Sequence, residues 1–203
     1  MPDNEALTLE QLSCKLITLL GLCSIKRCGV LAALSTKWMS QFSDRTVCAF
    51  GIKSKTSKKK LAKPVTFHKF LENPKLCPAT TLKHYVDRTN TFRMKNRSLH
   101  VFVSFRKPHK PVTRPTLTKW VLKMLSHAGK DTGRFKAHSM RSAASSKVVS
   151  LGLKLKEVLD NGNWSRESTW QRFHHKEIES SEKKFQKTLL NLAVSSFERG
   201  LAE

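Results

Sequence analysis

Acidic residues are scarce in this chain of 203 residues, which has 15 Asp and Glu against 38 Lys and Arg. The few carboxylates are scattered, whereas two-metal hydrolysis of a phosphodiester needs them clustered. A Gly-rich phosphate loop and a Gly-x-Ser-x-Gly nucleophile elbow are missing as well. The sequence therefore argues against metal-dependent nucleases, P-loop enzymes and serine hydrolases, and we expect neither a metal nor a cofactor.

Long apolar runs and zinc-binding cysteine patterns are absent too. No stretch of about 18 apolar residues occurs, and the first twelve residues are acidic and polar, so we predict no membrane span and no signal peptide. The five cysteines form no Cys-x-x-Cys pair and have no histidines at zinc-ligand spacing. We therefore expect free thiols in a reducing compartment.

A large positive charge is the main feature of what is present. The formal net charge is +23 and the isoelectric point is about 10.2, which indicates a polyanionic partner, most simply nucleic acid. With 39% hydrophobic residues the chain is long enough to bury one core. We therefore expect a single domain with tails.

The chain is organised around residues 134–178, where a helical pattern begins with His138 and Arg141. These residues are three apart, so both side chains are predicted to project from one face of the helix. The opposite face is predicted to be apolar, with members at intervals of four, four and three: Met140, Ala144, Val148 and Leu151.

Further elements are predicted directly after this helix. Gly152 ends it, and a second short helix is expected at about residues 154–159. Asn161-Gly162 predicts a turn that leads to Trp164, and Ser165 is a candidate N-cap for a third helix with Glu167 in its first turn. Arginine, histidine and tryptophan together suit a pentavalent phosphate, because a guanidinium binds two oxygens, an imidazole transfers a proton and an indole N–H donates.

These residues resemble the catalytic core of tyrosine recombinases, the phage-type integrases, especially the forms of Crypton and DIRS-type mobile elements. The family signature is Arg, Lys, His-x-x-Arg, His or Trp, and a tyrosine nucleophile. His138-Ser139-Met140-Arg141 matches the third element and Trp164 the fourth. The mobile-element phrase Trp-Ser-x-Glu-Ser-Thr-Phe-x-x-Phe-Tyr corresponds here to WSRESTWQRFHH, so His174 occupies the nucleophile position.

The resemblance implies a reaction without metal. In the family a tyrosine hydroxylate attacks the DNA phosphate and forms a 3′-phosphotyrosyl bond, while arginines stabilise the transition state. His174 departs from this pattern, and an imidazole differs in length from a phenol. A misplacement of about 1 Å costs roughly a hundredfold in rate, so we expect impaired cleavage rather than phosphohistidine chemistry.

The resemblance also assigns two upstream catalytic positions. Arg27 follows an apolar helix predicted from a Thr8/Gln11 capping box, at the head of a second helical piece, where the family carries its first arginine. The alternative is a solvated arginine. In the family a lysine of a β-hairpin turn protonates the leaving oxygen, and Lys55 is the best match, with Lys53 and Lys58 as rivals that are also candidate DNA contacts. A solvated turn or a nuclear-import cluster are the alternatives for this lysine-rich segment.

The strands and helices around these positions are predicted from their periodicity. Two strands, residues 46–52 and 64–67, flank the lysine-rich bridge, and Leu99–Phe105 reads as a third. A helix begins near Pro78 and contains Tyr85, the only tyrosine, which we interpret as a core residue. Thr113 is the predicted cap of a helix ended by Gly129, and its outward cations are candidate DNA contacts or a solvated basic face: Arg114, Lys119 and Lys123.

The tail beyond residue 178 has the pattern of an amphipathic helix. It would either pack on its own domain or, as in recombinases, join protomers into a homo-oligomer on DNA. We thus expect a recombinase-like catalytic domain in residues 1–178, a C-terminal helix in residues 179–203, and no upstream DNA-binding domain of the kind that family members usually carry.

The sequence therefore predicts an α+β fold, mainly helical, with a small antiparallel sheet. The expected function is binding of double-stranded DNA in recombination or integration of a mobile element, in the nucleus if the source is eukaryotic, with strand cleavage impaired. Whether the chain is an enzyme stays open, since an active recombinase that uses His174 or a tyrosine supplied in trans is one alternative. The other is a domesticated nucleic-acid-binding module.

Overall fold

The structure, a computed structural model, describes residues 3–50 and 63–173. Within these ranges it is mainly helical with one small antiparallel sheet, which confirms the predicted fold class. The helices, in chain order, are α1 (Leu9–Ser24), α2 (Cys28–Leu31), α3 (Pro78–Arg88), α4 (Asn90–Lys95), α5 (Arg114–His127), α6 (Ala137–Ser150), α7 (Leu155–Gly162) and α8 (Glu167–Phe173). The strands are β1 (Met39–Gln41), β2 (Arg45–Cys48) and β3 (Val65–His68).

Helix α1 is the centre of the fold. Its predicted capping box is present, because the Thr8 hydroxyl accepts from the backbone N–H of Gln11 while the Gln11 side chain accepts from that of Thr8. Apolar residues bury it on nearly every side, among them Leu12, Leu16 and Leu20, and it packs against α2, α3, α5 and α6. Full burial of one such leucine is worth about 2 kcal/mol, so α1 organises the core.

The three strands form one sheet in the order β1-β2-β3. Strands β2 and β3 pair antiparallel with Val47 opposite Thr66, which confirms the hairpin predicted on either side of the lysine-rich bridge. The partner of β2 on its other edge is β1, whose three residues gave no sequence signal.

The prediction of a third strand at Leu99–Phe105 was wrong. This segment makes only isolated bridges, Ser35 with His100 and Val103 with Pro111. Val101, Phe102 and Val103 are all buried, so the segment crosses the core rather than presenting one face to it. Pro108 and Pro111 follow, and prolines cannot donate to a ladder, so no continuous return strand forms.

Tyr85 is a core residue, as predicted. It lies on α3, is fully buried, and its hydroxyl donates to the carbonyl of Val103 at 3.1 Å and accepts from the Val103 N–H at 3.3 Å. Helix α5 also lies where predicted, with Leu117, Trp120 and Val121 buried and Gly129 in a left-handed conformation after its end. The Thr113 side chain makes no capping hydrogen bond, although Thr113 is the N-cap residue.

A second, smaller apolar cluster lies apart from the main core. It is built from Ile25 at the end of α1, Val158 of α7, and the two tryptophans Trp164 and Trp170. Apolar residues of α6 pack against it from one side. This cluster supports the site described below.

All five cysteines are described and all are free thiols. Among the described residues, no helix has both the length and the apolar character needed to cross a membrane.

Candidate phosphate-binding site

Helix α6 carries His138 and Arg141, but it is oriented differently from the prediction. Arg141 is buried, with 4% of its surface exposed, whereas His138 is exposed on the first turn. Leu151, predicted to belong to the apolar face, is 72% exposed at the C-cap. The buried face consists largely of serines, Ser142, Ser145 and Ser146, whose small size lets α6 approach its neighbours closely and enclose the guanidinium.

The guanidinium of Arg141 is held by two backbone carbonyls and one aromatic ring. Its Nε donates to the carbonyl of Ile25 at 2.5 Å, and its Nη2 donates to the carbonyl of Gly162. Its Cζ lies 3.7 Å from the ring centroid of Trp164, a cation–π contact worth about 2 kcal/mol when desolvated. The Nη1 donors form no hydrogen bond with the described residues, so they remain available to an anion.

The backbone of Ile25 is unusual and aims its carbonyl at Arg141. Ile25 is the C-cap of α1 in the left-handed conformation, with φ of 46°, which is uncommon for a β-branched residue. This conformation ends α1 abruptly. It directs the next residues, Lys26 and Arg27, to the same region as Arg141.

Lys26 is a buried cation that the sequence analysis did not single out. Only 8% of it is exposed, and its Nζ donates to the carbonyl of Asn161 at 2.5 Å. Burial, together with the positive charges of Arg141 and Lys63, lowers the pKa of Lys26 to about 8. A lysine with this pKa is partly neutral near pH 8.

Arg27 and Arg141 lie close enough to influence each other. Burial lowers the pKa of Arg141 to about 9, and the nearby positive charge of Arg27 contributes. Arg27 is exposed at the N-cap of α2, and its side chain makes no capping hydrogen bond. The structure thus brings together Arg27, Arg141 and Trp164 of the predicted signature.

Trp164 follows directly from the end of α7. That helix continues to Gly162, so the turn predicted at Asn161-Gly162 lies one residue later, at Asn163, which is left-handed with φ of 54°. A Cβ on Gly162 would overlap the Trp164 ring, so only glycine permits this packing. The tryptophan is consequently seated on the backbone of α7 and beneath the Arg141 guanidinium.

Trp170 of helix α8 packs against α6 and forms a hydrogen bond with it. The indole Nε1 of Trp170 donates to Ser145 Oγ at 3.1 Å, and the ring is almost fully buried. The helix begins at Glu167, two residues after the predicted cap Ser165, and the description ends at Phe173. His174, the predicted nucleophile position, therefore lies outside the described residues, as do Lys53, Lys55 and Lys58.

One lysine of the lysine-rich bridge is described and lies near the site. Lys63 stands 3.7 Å from the carboxylate of Asp160 on α7, and its charge lowers the pKa of Lys26. Lys63, two residues before β3, therefore lies beside the end of α7.

The three candidate DNA contacts of α5 occupy different surroundings. Arg114 packs over Gly29 of α2, since its Cδ would lie 3.5 Å from a Cβ placed there. Lys119 is exposed. Lys123 forms an ion pair with Glu10 of α1, so part of its charge is neutralised within the chain.

Sequence reasoning missed Lys26, Ile25 and Lys63, and it interpreted Gly162 only as part of a turn. The contacts of Lys26, Ile25 and Gly162 involve backbone carbonyls or a missing Cβ, for which no side-chain spacing exists. The adjacency of Lys26 to Arg27 was the only available signal. The assembled site thus contains neighbouring cations, N–H donors without an acceptor among the described residues, and the ring of Trp164 against the guanidinium of Arg141. Cationic N–H donors of this kind are suited to binding a phosphate.

Comparison with known proteins agrees with this geometry. A family model described as the phage integrase family matches residues 4–180. No curated protein sequence matches the chain. Similar solved structures include XerH site-specific recombinase bound to palindromic difH substrate in a post-cleavage complex, with a TM-score of 0.61 and 14% identity over 95% of this chain and 48% of that chain.

Two further structures show the same fold. XerA recombinase has a TM-score of 0.57 and 15% identity over 88% of this chain and 62% of that chain. A lambda integrase dimer bound to a COC′ core site has a TM-score of 0.51 and 10% identity over 87% of this chain and 59% of that chain. The present chain thus spans about half to three fifths of their lengths. On the family match and the fold together, this chain belongs to the phage integrase family of tyrosine recombinases.

Proposed function

We propose that the protein binds double-stranded DNA and acts in DNA recombination or integration, with a backbone phosphate held by Arg27 and Arg141. Membership of the phage integrase family supports this proposal. The XerH and lambda integrase structures of similar fold are described as complexes with DNA, which supports the same partner here.

The observation that carries the proposal is the group of neighbouring cations with no carboxylate partner at its centre. Arg141 and Lys26 are both buried, yet among the described residues neither forms an ion pair, and only backbone carbonyls accept from them. Burying unpaired like charges costs folding free energy. A bound phosphate would offset that cost, so the arrangement is understandable as a site for an anion rather than as a stabilising device.

We propose further that strand cleavage is impaired. The nucleophile position holds His174, and the only tyrosine of this chain is buried in the core with its hydroxyl engaged by Val103. An active recombinase, forming its covalent intermediate through His174 or a tyrosine supplied in trans, is the alternative outcome. A domesticated basic module without a recombination role is the other.

The remaining assignments are proposals that rest on sequence resemblance. They comprise an origin in a Crypton or DIRS-type mobile element, a nuclear location, a homo-oligomer on DNA formed through residues 179–203, and a catalytic domain in residues 1–178. The role of Lys55 as the proton donor to the leaving oxygen belongs with them.

The phosphate site is tested by DNA affinity as a function of salt. Arg27→Gln is the main variant, since Arg27 is exposed and its side chain makes no cap, so folding should be preserved. If Arg27 neutralises one phosphate, the slope of log affinity against log salt should fall by about 0.9. Circular dichroism verifies the fold of each variant, including Arg141→Gln.

Charge-matched controls separate a site from general attraction. Lys95→Gln and Lys130→Gln each remove one exposed positive charge elsewhere in the chain. A phosphate site predicts that Arg27→Gln and Arg141→Gln weaken binding more than either control. Equal losses in all four variants would instead indicate a diffuse basic module, and absence of DNA binding by the wild-type chain would refute the proposal.

A further inference from the structure

The carbonyl end of α7 is held by two cations that come from distant parts of the chain. Lys26, just after α1, donates to the carbonyl of Asn161, and Arg141 of α6 donates to the carbonyl of Gly162. These two acceptors are consecutive residues in the last turn of α7. A helix leaves its last carbonyls without internal partners and carries partial negative charge there, so both contacts complement it.

The position of Trp164 depends on where α7 ends. Only Asn163, in its left-handed conformation, separates Gly162 from Trp164, and the Trp164 N–H donates back to the carbonyl of Leu159 at 2.9 Å. The tryptophan ring lies against Gly162 on one side and under the Arg141 guanidinium on another. A shift of the last turn of α7 would therefore move the ring relative to the guanidinium.

We propose that Lys26 is a positioning residue, which fixes the last turn of α7 and thereby holds Trp164 against the guanidinium of Arg141. This inference rests on the proposed function in so far as Trp164 and Arg141 form the phosphate site. Lys26 itself does not touch the phosphate in this proposal, because its Nζ is directed to Asn161.

The charged groups around Lys26 come from every neighbouring element. Arg141 faces it from α6, Arg27 follows it in the chain, and Lys63 approaches from the segment before β3. The carboxylate of Asp160 on α7 pairs with Lys63. Because burial and neighbouring charges bring the pKa of Lys26 to about 8, the ammonium that donates to Asn161 of α7 should lose its proton and its charge in mildly alkaline solution.

The first test observes Trp164 directly in the protein without DNA. Protein labelled with 5-fluorotryptophan gives fluorine NMR signals from its four tryptophans, and Trp164→Phe identifies the relevant one. The proposal predicts that Lys26→Met displaces the Trp164 signal and removes a pH-dependent shift centred near pH 8. Lys95→Met, which removes an exposed lysine of α4, should leave that signal unchanged.

The wild-type titration keeps this test decisive even if Lys26→Met does not fold. A Trp164 signal that stays constant from pH 7 to pH 11 in the wild type, a range that includes both the pKa of about 8 and the ordinary value of 10.5, overturns the proposal. An unchanged Trp164 signal in folded Lys26→Met overturns it as well.

The second test is a double-mutant cycle for DNA affinity. If Lys26 acts through Trp164, Lys26→Met should weaken binding about tenfold in the wild-type background and less than about twofold in Trp164→Ala. Equal losses in both backgrounds would show that Lys26 acts independently and would overturn the positioning role. If the wild-type chain binds no DNA, the proposed function fails, while the NMR test still decides whether Lys26 positions Trp164.

Discussion

Raising the pH should stabilise this protein through Lys26. The pKa of Lys26 is about 8 in the folded protein because of burial and neighbouring positive charges, against 10.5 for the free side chain. Between these two values the unfolded chain binds a proton that the folded chain does not. Folding stability must therefore rise with pH across this window.

The size of the effect follows from the difference between the two pKa values. Each pKa unit corresponds to about 1.4 kcal/mol, and most of the difference is traversed between pH 7.5 and pH 10. The contribution of Lys26 to the free energy of unfolding should thus increase by about 2 kcal/mol over that range. Replacement by methionine removes the titration and keeps a side chain of similar shape.

The assay is urea unfolding of the wild type and Lys26→Met at intervals between pH 7.5 and pH 10. Only the difference between the two proteins is informative, because other groups also titrate. Burial raises the pKa of Cys14 to about 11 and of Cys48 to about 12, which lowers stability above pH 9, but both proteins share these thiols. The lost hydrogen bond to Asn161 should add a mainly constant offset.

The expected result is that wild-type stability gains about 2 kcal/mol relative to Lys26→Met as the pH rises. A difference that is independent of pH would show that Lys26 has an ordinary pKa in the folded protein. It would refute the argument that burial and neighbouring positive charges lower the pKa of Lys26.

Three further substitutions test the packing at the site and in the main core. Gly162→Ala should destabilise the protein and weaken DNA binding although alanine favours helices by about 1 kcal/mol, because a Cβ overlaps the Trp164 ring. Gly29→Ala is the matched control, since its Cβ would make only an ordinary contact with Arg114 at 3.5 Å and should be tolerated in urea unfolding. Tyr85→Phe should cost about 1–3 kcal/mol in unfolding free energy, because the backbone N–H and carbonyl of Val103 lose their partner. DNA affinity should stay unchanged in this variant. A loss of affinity in the folded variant would contradict a purely core role for Tyr85.

Local signals in the sequence were sufficient for several elements of the fold. The capping box at Thr8, the proline at the start of α3 and the glycine after α5 each specify a helix end through residues that are neighbours in the chain. The hairpin of β2 and β3 was also predicted from local signals, because two short runs of β-branched and apolar residues flank the lysine-rich bridge. The strand prediction for Leu99–Phe105 was wrong because a continuous apolar segment has no periodicity. Periodicity alone therefore cannot distinguish a strand of a sheet from an extended segment that passes through the core.

The site could be predicted only in part. The His-x-x-Arg spacing located Arg141, but its burial depends on the carbonyl of Ile25, which lies 116 residues upstream. No pattern of side chains indicates which carbonyl a guanidinium will meet. The same limit applies to Lys26, whose partner Asn161 is 135 residues away. Tertiary packing, rather than periodicity, determines both contacts.

The most direct test of the account is covalent trapping on nicked suicide DNA with the wild-type chain and its His174→Tyr variant. The account predicts that only His174→Tyr forms a protein–DNA adduct, and that adding Arg141→Gln to this variant abolishes it. An adduct with the wild-type chain would contradict impaired cleavage. No adduct with His174→Tyr, in protein that binds DNA, would contradict the claim that Arg27, Arg141 and Trp164 still form a working phosphate site.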